Sequence, residues 1–79
     1  MKIDRLPEVL RKTGRSKSGH YADVAAGLFS RQVRISVRCV GWPAHEVDAL
    51  IAARIAGRSD AEIRELVVNL EAARQHVDA

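Results

Sequence analysis

Apolar positions recur along this chain with two different periods. Leu6, Val9, Leu10 and Thr13 share one face at helical spacing, behind a Leu6-Pro7-Glu8 opening. Proline fits the first position of a helix, and Glu8 suits the positive end of its dipole. Gly14 follows, the residue type that best accepts the left-handed conformation after a helix. Ser16 is placed to cap a second helix from Lys17 to about Ala26, which Gly27 ends. Two short helices joined by Gly14-Arg15-Ser16 predict a helix-turn-helix.

After Leu28-Phe29 the period shortens. Val33, Ile35 and Val37 alternate with Arg34, Ser36 and Arg38, which predicts a strand with one apolar and one basic face. A return strand through Cys39-Val40-Gly41-Trp42 makes a short hairpin, although Ser36-Val37-Arg38 carries no Asn-Gly or Gly-Gly turn signal. Pro43 starts a third helix with Val47, Leu50, Ile51 and Ile55 on its apolar face, stopped by Gly57. Ser59-Asp60-Ala61-Glu62 fits a capping box. The fourth helix it opens runs to about His76, with Ile63, Leu66, Val67, Leu70 and Val77 as its stripe. The expected fold is mainly α with a small β-hairpin: a winged helix-turn-helix plus a C-terminal helix. Residues 1–57 form the winged unit. Residues 58–79 form an amphipathic helix that packs on that unit or pairs two chains.

Size narrows what such a fold can do. A chain of 79 residues buries only roughly 60% of the surface its unfolded form exposes, too little for a cleft walled on several sides. The single cysteine, Cys39, excludes an internal disulfide framework and points to a reducing compartment. Met1-Lys2-Ile3-Asp4-Arg5 lacks the apolar run of a signal peptide, and no stretch approaches the roughly 18 uncharged residues of a transmembrane helix. A cytoplasmic protein without a membrane partner is expected.

The net charge of +3 conceals an asymmetry. Residues 1–42 hold nine Lys or Arg against three acids, +6; residues 43–79 hold four against seven, −3. A basic half beside an acidic half implies a polyanion-facing surface and a separate supporting one, against the plainer alternative of a solvated face.

Leu6-Pro7-Glu8-Val9-Leu10, Thr13-Gly14, Ser16-Lys17-Ser18, Tyr21, Gly27-Leu28-Phe29, Val33-Arg34-Ile35, Arg38, Val40-Gly41-Trp42 and Glu46-Val47 stand in a characteristic order and spacing. In these residues the chain resembles the AlpA family of phage- and prophage-type transcriptional regulators, which are close to the excisionases. The resemblance implies a winged helix-turn-helix and a setting in mobile-element genes or the direction of site-specific recombination. The chain departs from the family habit at Ser30, where Pro is frequent, and at Ala22-Asp23, where a basic residue is usual. It departs again at Ser36-Val37, where a turn former is common. The fourth helix lies outside the resemblance.

In a helix-turn-helix the second helix enters the major groove with its N-terminal residues nearest the bases. That nominates Arg15, Ser16, Lys17, Ser18 and Gly19 as DNA-binding residues, followed along the helix by His20 and Tyr21. Ser16 can cap the helix or meet a base, and the two roles compete for one oxygen. Gly19 costs roughly 1 kcal/mol inside a helix relative to Ala; its presence there fits either close backbone approach to DNA or loose packing. Tyr21 can offer its hydroxyl to a phosphate or lie wholly in the core. Arg34 and Arg38 face away from the apolar side of the strand, where a wing meets backbone or minor groove. Such charges also guard an edge strand against aggregation. Arg11 and Lys12 complement the first helix's dipole. Trp42, between Gly41 and Pro43, belongs to the core rather than to a stacking platform.

No chemistry competes with that reading. His20, His45, His76 and Cys39 do not fall at metal-ligand spacing, and Glu46 and Asp48 point to different helix faces. No phosphate loop or paired nucleophile and base is present, so no enzyme, cofactor or metal is expected. The function expected is a sequence-specific DNA-binding regulator of a phage or mobile element, with double-stranded DNA as its partner. An integrase or RNA polymerase, and a second copy of the chain on DNA, are compatible additions. Alternatives are a recombination directionality factor that binds and bends attachment-site DNA, and an adaptor acting through the C-terminal helix.

Overall fold

Every helix start, and the ends of the first three helices, fall at or within two residues of the sequence punctuation. A computed structural model describes residues 2–76. Helix α1 spans Leu6–Thr13 with Pro7 in its first turn, and Gly14 closes it in the left-handed region at φ 71°. Helix α2 spans Lys17–Ala25, its first turn capped by Ser16, whose Oγ accepts the Gly19 amide at 3.1 Å. Helix α3 spans Ala44–Ile55 and α4 spans Asp60–Ala73. The capping box of α4 is complete: Ser59 Oγ accepts from Glu62 N at 3.2 Å, and Glu62 Oε1 accepts from Ser59 N at 3.0 Å. The helix gives way to a 3-10 turn over Arg74–His76, so the expected α-helix to His76 stops at Ala73. Val77 lies outside the described residues.

Three antiparallel strands form one small sheet in the order β1-β3-β2. Strand β1 is Ile3–Asp4, β2 is Val33–Ser36 and β3 is Cys39–Pro43. The first was not expected, because two residues are too few to display an alternation. Ile3 pairs with Pro43 and Asp4 with Trp42, which puts Gly41 directly under the N-terminal strand. A Cβ on Gly41 would stand 2.8 Å from the Asp4 carbonyl and 2.6 Å from Ile3 Cγ2, so only glycine lets β1 lie that close.

The hairpin turns through Val37-Arg38, between the paired Ser36 and Cys39. No non-glycine residue among those described has a positive φ, so this reversal is not the type I′ turn that two-residue hairpins favour. The mismatch is absorbed by a bulge. Arg34 pairs with Val40 and Ser36 with Cys39, which leaves Ile35 as an extra residue. The bulge corrects the expected apolar face of Val33, Ile35 and Val37: Val33 is half-buried, but Ile35 is 49% and Val37 82% exposed.

Val9, Phe29, Trp42, Val47, Leu50, Ile63 and Val67 make the core. Helix α4 therefore packs into the same core as the winged unit, with Leu66 and Leu70 half-buried beside it. Ile55, expected on the buried face of α3, is the last residue of that helix and is 82% exposed. No helix among the described residues is long and apolar enough to cross a membrane.

Candidate nucleic-acid interface

The N-terminal end of α2 is an exposed polar surface of the helix-turn-helix. Lys17 and Ser18 are exposed in its first turn, where free backbone amides and the helix dipole favour an anion. Ser16 is occupied as the cap. Arg15 is exposed but bent over the helix: its guanidinium donates to Asp23 Oδ2 at 3.0 Å, Asp23 Oδ1 at 3.1 Å and the Gly19 carbonyl at 3.2 Å. Gly19 makes that route passable, since a Cβ there would stand 3.3 Å from the Arg15 guanidinium and 3.1 Å from the capping oxygen. Its absence of side chain thus serves an internal contact.

Behind this turn α2 is fixed by aromatic rings. His20 is 1% exposed, which removes it from the surface where it was expected to stand beside Tyr21. Its ring packs edge-on against Trp42 at 4.7 Å, Phe29 at 4.8 Å and Tyr21 at 5.4 Å. Burial pushes the imidazole below its ordinary pKa, with Asp23 opposing the shift and Arg15 adding to it. Its Nε2 is buried with no hydrogen-bond partner. Tyr21 is half-buried against the core. Trp42 is wholly buried, and its indole donates to the Ser30 carbonyl at 2.8 Å.

The hairpin carries the second basic group. Arg34 and Arg38 are exposed on either side of the apolar tip residue Val37. Arg5 Nε donates to the Val40 carbonyl at 3.2 Å, tying the hairpin to the start of the chain. Among the described residues no hydrogen bond or ion pair joins Arg34 or Arg38 to the α2 turn. The structure thus gathers Arg15, Ser16, Gly19 and Asp23 into one contact set and keeps the wing arginines separate.

A cleft of about 520 Å³ opens beside α2, lined by His20, Asp23, Leu28, Leu50 and Ile51 among others. Its three cations are all neutralised: Lys12 by Asp4 and Asp48, Arg15 by Asp23, Arg54 by Asp60. It offers an anion no unpaired charge. Among the described residues no three His, Cys, Asp or Glu are grouped to hold a metal ion.

Residues 2–55 match the family model described as Prophage CP4-57 regulatory protein (AlpA). The chain belongs to the AlpA family. Over 54 residues it is 43% identical to Uncharacterized protein ORF88 of Enterobacteria phage P4, a stretch covering 68% of this chain. The chain spans 61% of the length of that relative. No solved structure matches. The AlpA match covers β1 through α3 and ends before α4.

Two buried ion pairs of this AlpA-family fold were not anticipated from the sequence. Asp4 is 1% exposed and accepts from Lys12 Nζ at 2.6 Å, a contact that holds the Lys12 ammonium above its ordinary pKa. Glu46 is 0% exposed and takes the fork of Arg74, Nε to Oε2 at 2.8 Å and Nη2 to Oε1 at 2.6 Å. The second pair spans 28 positions, so no local spacing announces it.

Proposed function

We propose that this AlpA-family chain is a sequence-specific DNA-binding regulator of a phage or mobile element. The observation that carries the reading is the two-sided build of α2. Its back is locked by His20 among Trp42, Phe29 and Tyr21, while its first turn presents Lys17 and Ser18 to solvent. A rigid helix with a polar, amide-rich end is what major-groove readout requires. In this reading Lys17 and Ser18 meet base edges, Ser16 and Gly19 shape the turn, and Tyr21 braces it. Arg34 and Arg38 hold phosphate or the minor groove from the wing. Arg15 contributes only when it leaves Asp23. Membership of a family of prophage regulators supports the same role.

Residues 1–57 act as the binding unit and 58–79 as its support. Ile63 and Val67 are spent inside the chain's own core, and Val68, 65% exposed, is the large apolar residue α4 leaves open. That favours a supporting helix over an adaptor surface.

The test is selection of duplexes from a random pool, followed by gel-shift titration of the winner against salt. An enriched sequence is expected. With about four to six phosphate contacts the log–log salt slope should be roughly −4 to −5. No enrichment, with binding indifferent to salt, would overturn the reading.

A further inference from the structure

Besides the backbone bonds that close α2, Gly27 N to the Val24 carbonyl at 3.1 Å and Leu28 N to the Asp23 carbonyl at 2.8 Å, and the Trp42 indole on Ser30, the connector between α2 and β2 is held by side chains from α4. At its start Arg64 Nε donates to the Ala26 carbonyl at 3.0 Å. Near its end both backbone groups of Arg31 are taken. The amide donates to Glu71 Oε2 at 2.8 Å, and the carbonyl accepts from Arg74 Nη2 at 2.7 Å. Arg74 is itself aimed by its fork on the wholly buried Glu46 of α3. Glu71 adds an ion pair to the Arg31 guanidinium at 3.3 Å. Residues 64, 71 and 74 fall on one face of a continuous helical run, at i, i+7 and i+10. That face grips the chain at two points, where it leaves α2 and two residues before it enters the hairpin.

We infer that α4 is a splint that sets the angle between the helix-turn-helix and the wing, with Arg64, Glu71 and Arg74 as its positioning residues. The apolar stripe of α4 explains why the helix docks. It does not explain three charged side chains spent on the backbone of one connector. A connecting segment runs over the surface, where water is available to satisfy those groups without charged side chains. Fixing both ends of a six-residue span (26–31) removes the freedom by which the hairpin would swing against α2. A wing so held meets DNA preorganised, without an ordering cost at binding. The splint rests on the proposed DNA reading for its purpose, but its mechanical part can be measured without DNA.

The test uses the full chain and two variants, Arg74→Gln and the double variant Arg64→Ala/Glu71→Gln. The second touches no wholly buried charge, so it carries the test should Arg74→Gln fail to fold. With circular dichroism unchanged, amide exchange in residues 33–39 should rise about tenfold or more, the mark of local opening, while α1 and α3 stay protected. On the selected duplex the salt slope should fall by about one for each phosphate the wing releases. Arg38→Ala should then cost less in the variant background than in the parent, since the wing no longer engages. Arg74→Lys, which keeps a donor but not the fork, should restore part of both readouts. Unchanged exchange together with an undiminished Arg38→Ala penalty would overturn the splint. Faster hairpin exchange in a protein whose parent form binds no DNA would leave the splint standing and remove the proposed function instead.

Discussion

Arg15 and Asp23 are joined twice, Nε to Oδ2 at 3.0 Å and Nη2 to Oδ1 at 3.1 Å, across two turns of the helix proposed to read DNA. The pair withholds a cation from the surface where it is most useful. It also neutralises a carboxylate that would repel phosphate. Asp23→Asn should release Arg15 toward the duplex, raising affinity and steepening the salt slope by about one. Stability should change little, because the Arg15 side chain is 50% exposed and ion pairs open to solvent contribute about 0–1 kcal/mol. Titrations across salt check this. An unchanged slope would mean that Arg15 stays on the protein when DNA binds.

The capping box offers a cleaner stability measurement. The Ser59 amide holds the Glu62 carboxyl below its ordinary pKa, while the Ser59 hydroxyl takes the Glu62 amide. Ser59→Ala should cost about 0.5–2 kcal/mol. For a domain of this size each kcal/mol lowers the melting midpoint by about 4–8 °C. A midpoint equal to the parent's would mean that α4 does not unfold with the rest of the chain.

Gly41→Ala tests the unexpected N-terminal strand. The added methyl would meet a backbone carbonyl, which cannot rotate aside as a side chain can. Overpacking of this kind costs about 1–3 kcal/mol. Amide exchange should show Ala44 deprotected as well, because its N–H donates to the Lys2 carbonyl at 2.9 Å. A variant as stable as the parent, with Ala44 still protected, would show that β1 is not held close.

Most element boundaries were legible because they depend on local chemistry. Pro7, Gly14, Ser16 and the Ser59–Glu62 box act within a few residues, and their signals survive folding unchanged. Features that depend on distant partners were not. Ile35 became a bulge because a Val-Arg turn cannot supply the positive φ of a tight hairpin, a conflict visible only when both strands are paired. His20 looked like a surface residue of a polar helix, but the rings that bury it come from Phe29 and Trp42, beyond its own helix. The candidate site was half legible. Lys17 and Ser18 stand open as the helix position implied, whereas the Arg15–Asp23 contact needs a side chain laid across two helical turns.

The buried imidazole gives the fold an acid limit. Unfolded chain takes up a proton at His20 near pH 6.5, and the folded protein does so only lower, because burial disfavours the charged ring. The stability drawn from neutral His20 is therefore whole above about pH 6.5. It falls as pH drops from there toward the depressed folded value. Glu62, also held low, acts in the same direction but only below about pH 4.5. Melts of the parent should lose stability as pH falls below about 6.5, whereas His20→Phe should be nearly flat over the same range. Equal slopes for the two proteins would place the acid sensitivity elsewhere.

The most discriminating prediction separates reading from gripping. Lys17 and Ser18 occupy the first turn of α2, within reach of base edges if that helix enters the major groove. Arg38 stands beside the exposed Val37 at the hairpin turn, where phosphate or the degenerate minor groove is the partner. The two classes should fail differently. Lys17→Ala and Ser18→Ala should weaken the selected duplex more than a scrambled one, by about 1–3 kcal/mol for each base-specific interaction removed. Arg38→Ala should weaken both duplexes alike and lower the salt slope by about one. All three residues are exposed, so folding should be unaffected and the comparison is of binding alone. Competition titration of each variant on both duplexes supplies the measurement. Uniform losses from the α2 variants, with selectivity lost only in Arg38→Ala, would exchange the roles of helix and wing. No loss from any of the three would remove the helix-turn-helix of residues 6–25 as a DNA-binding surface.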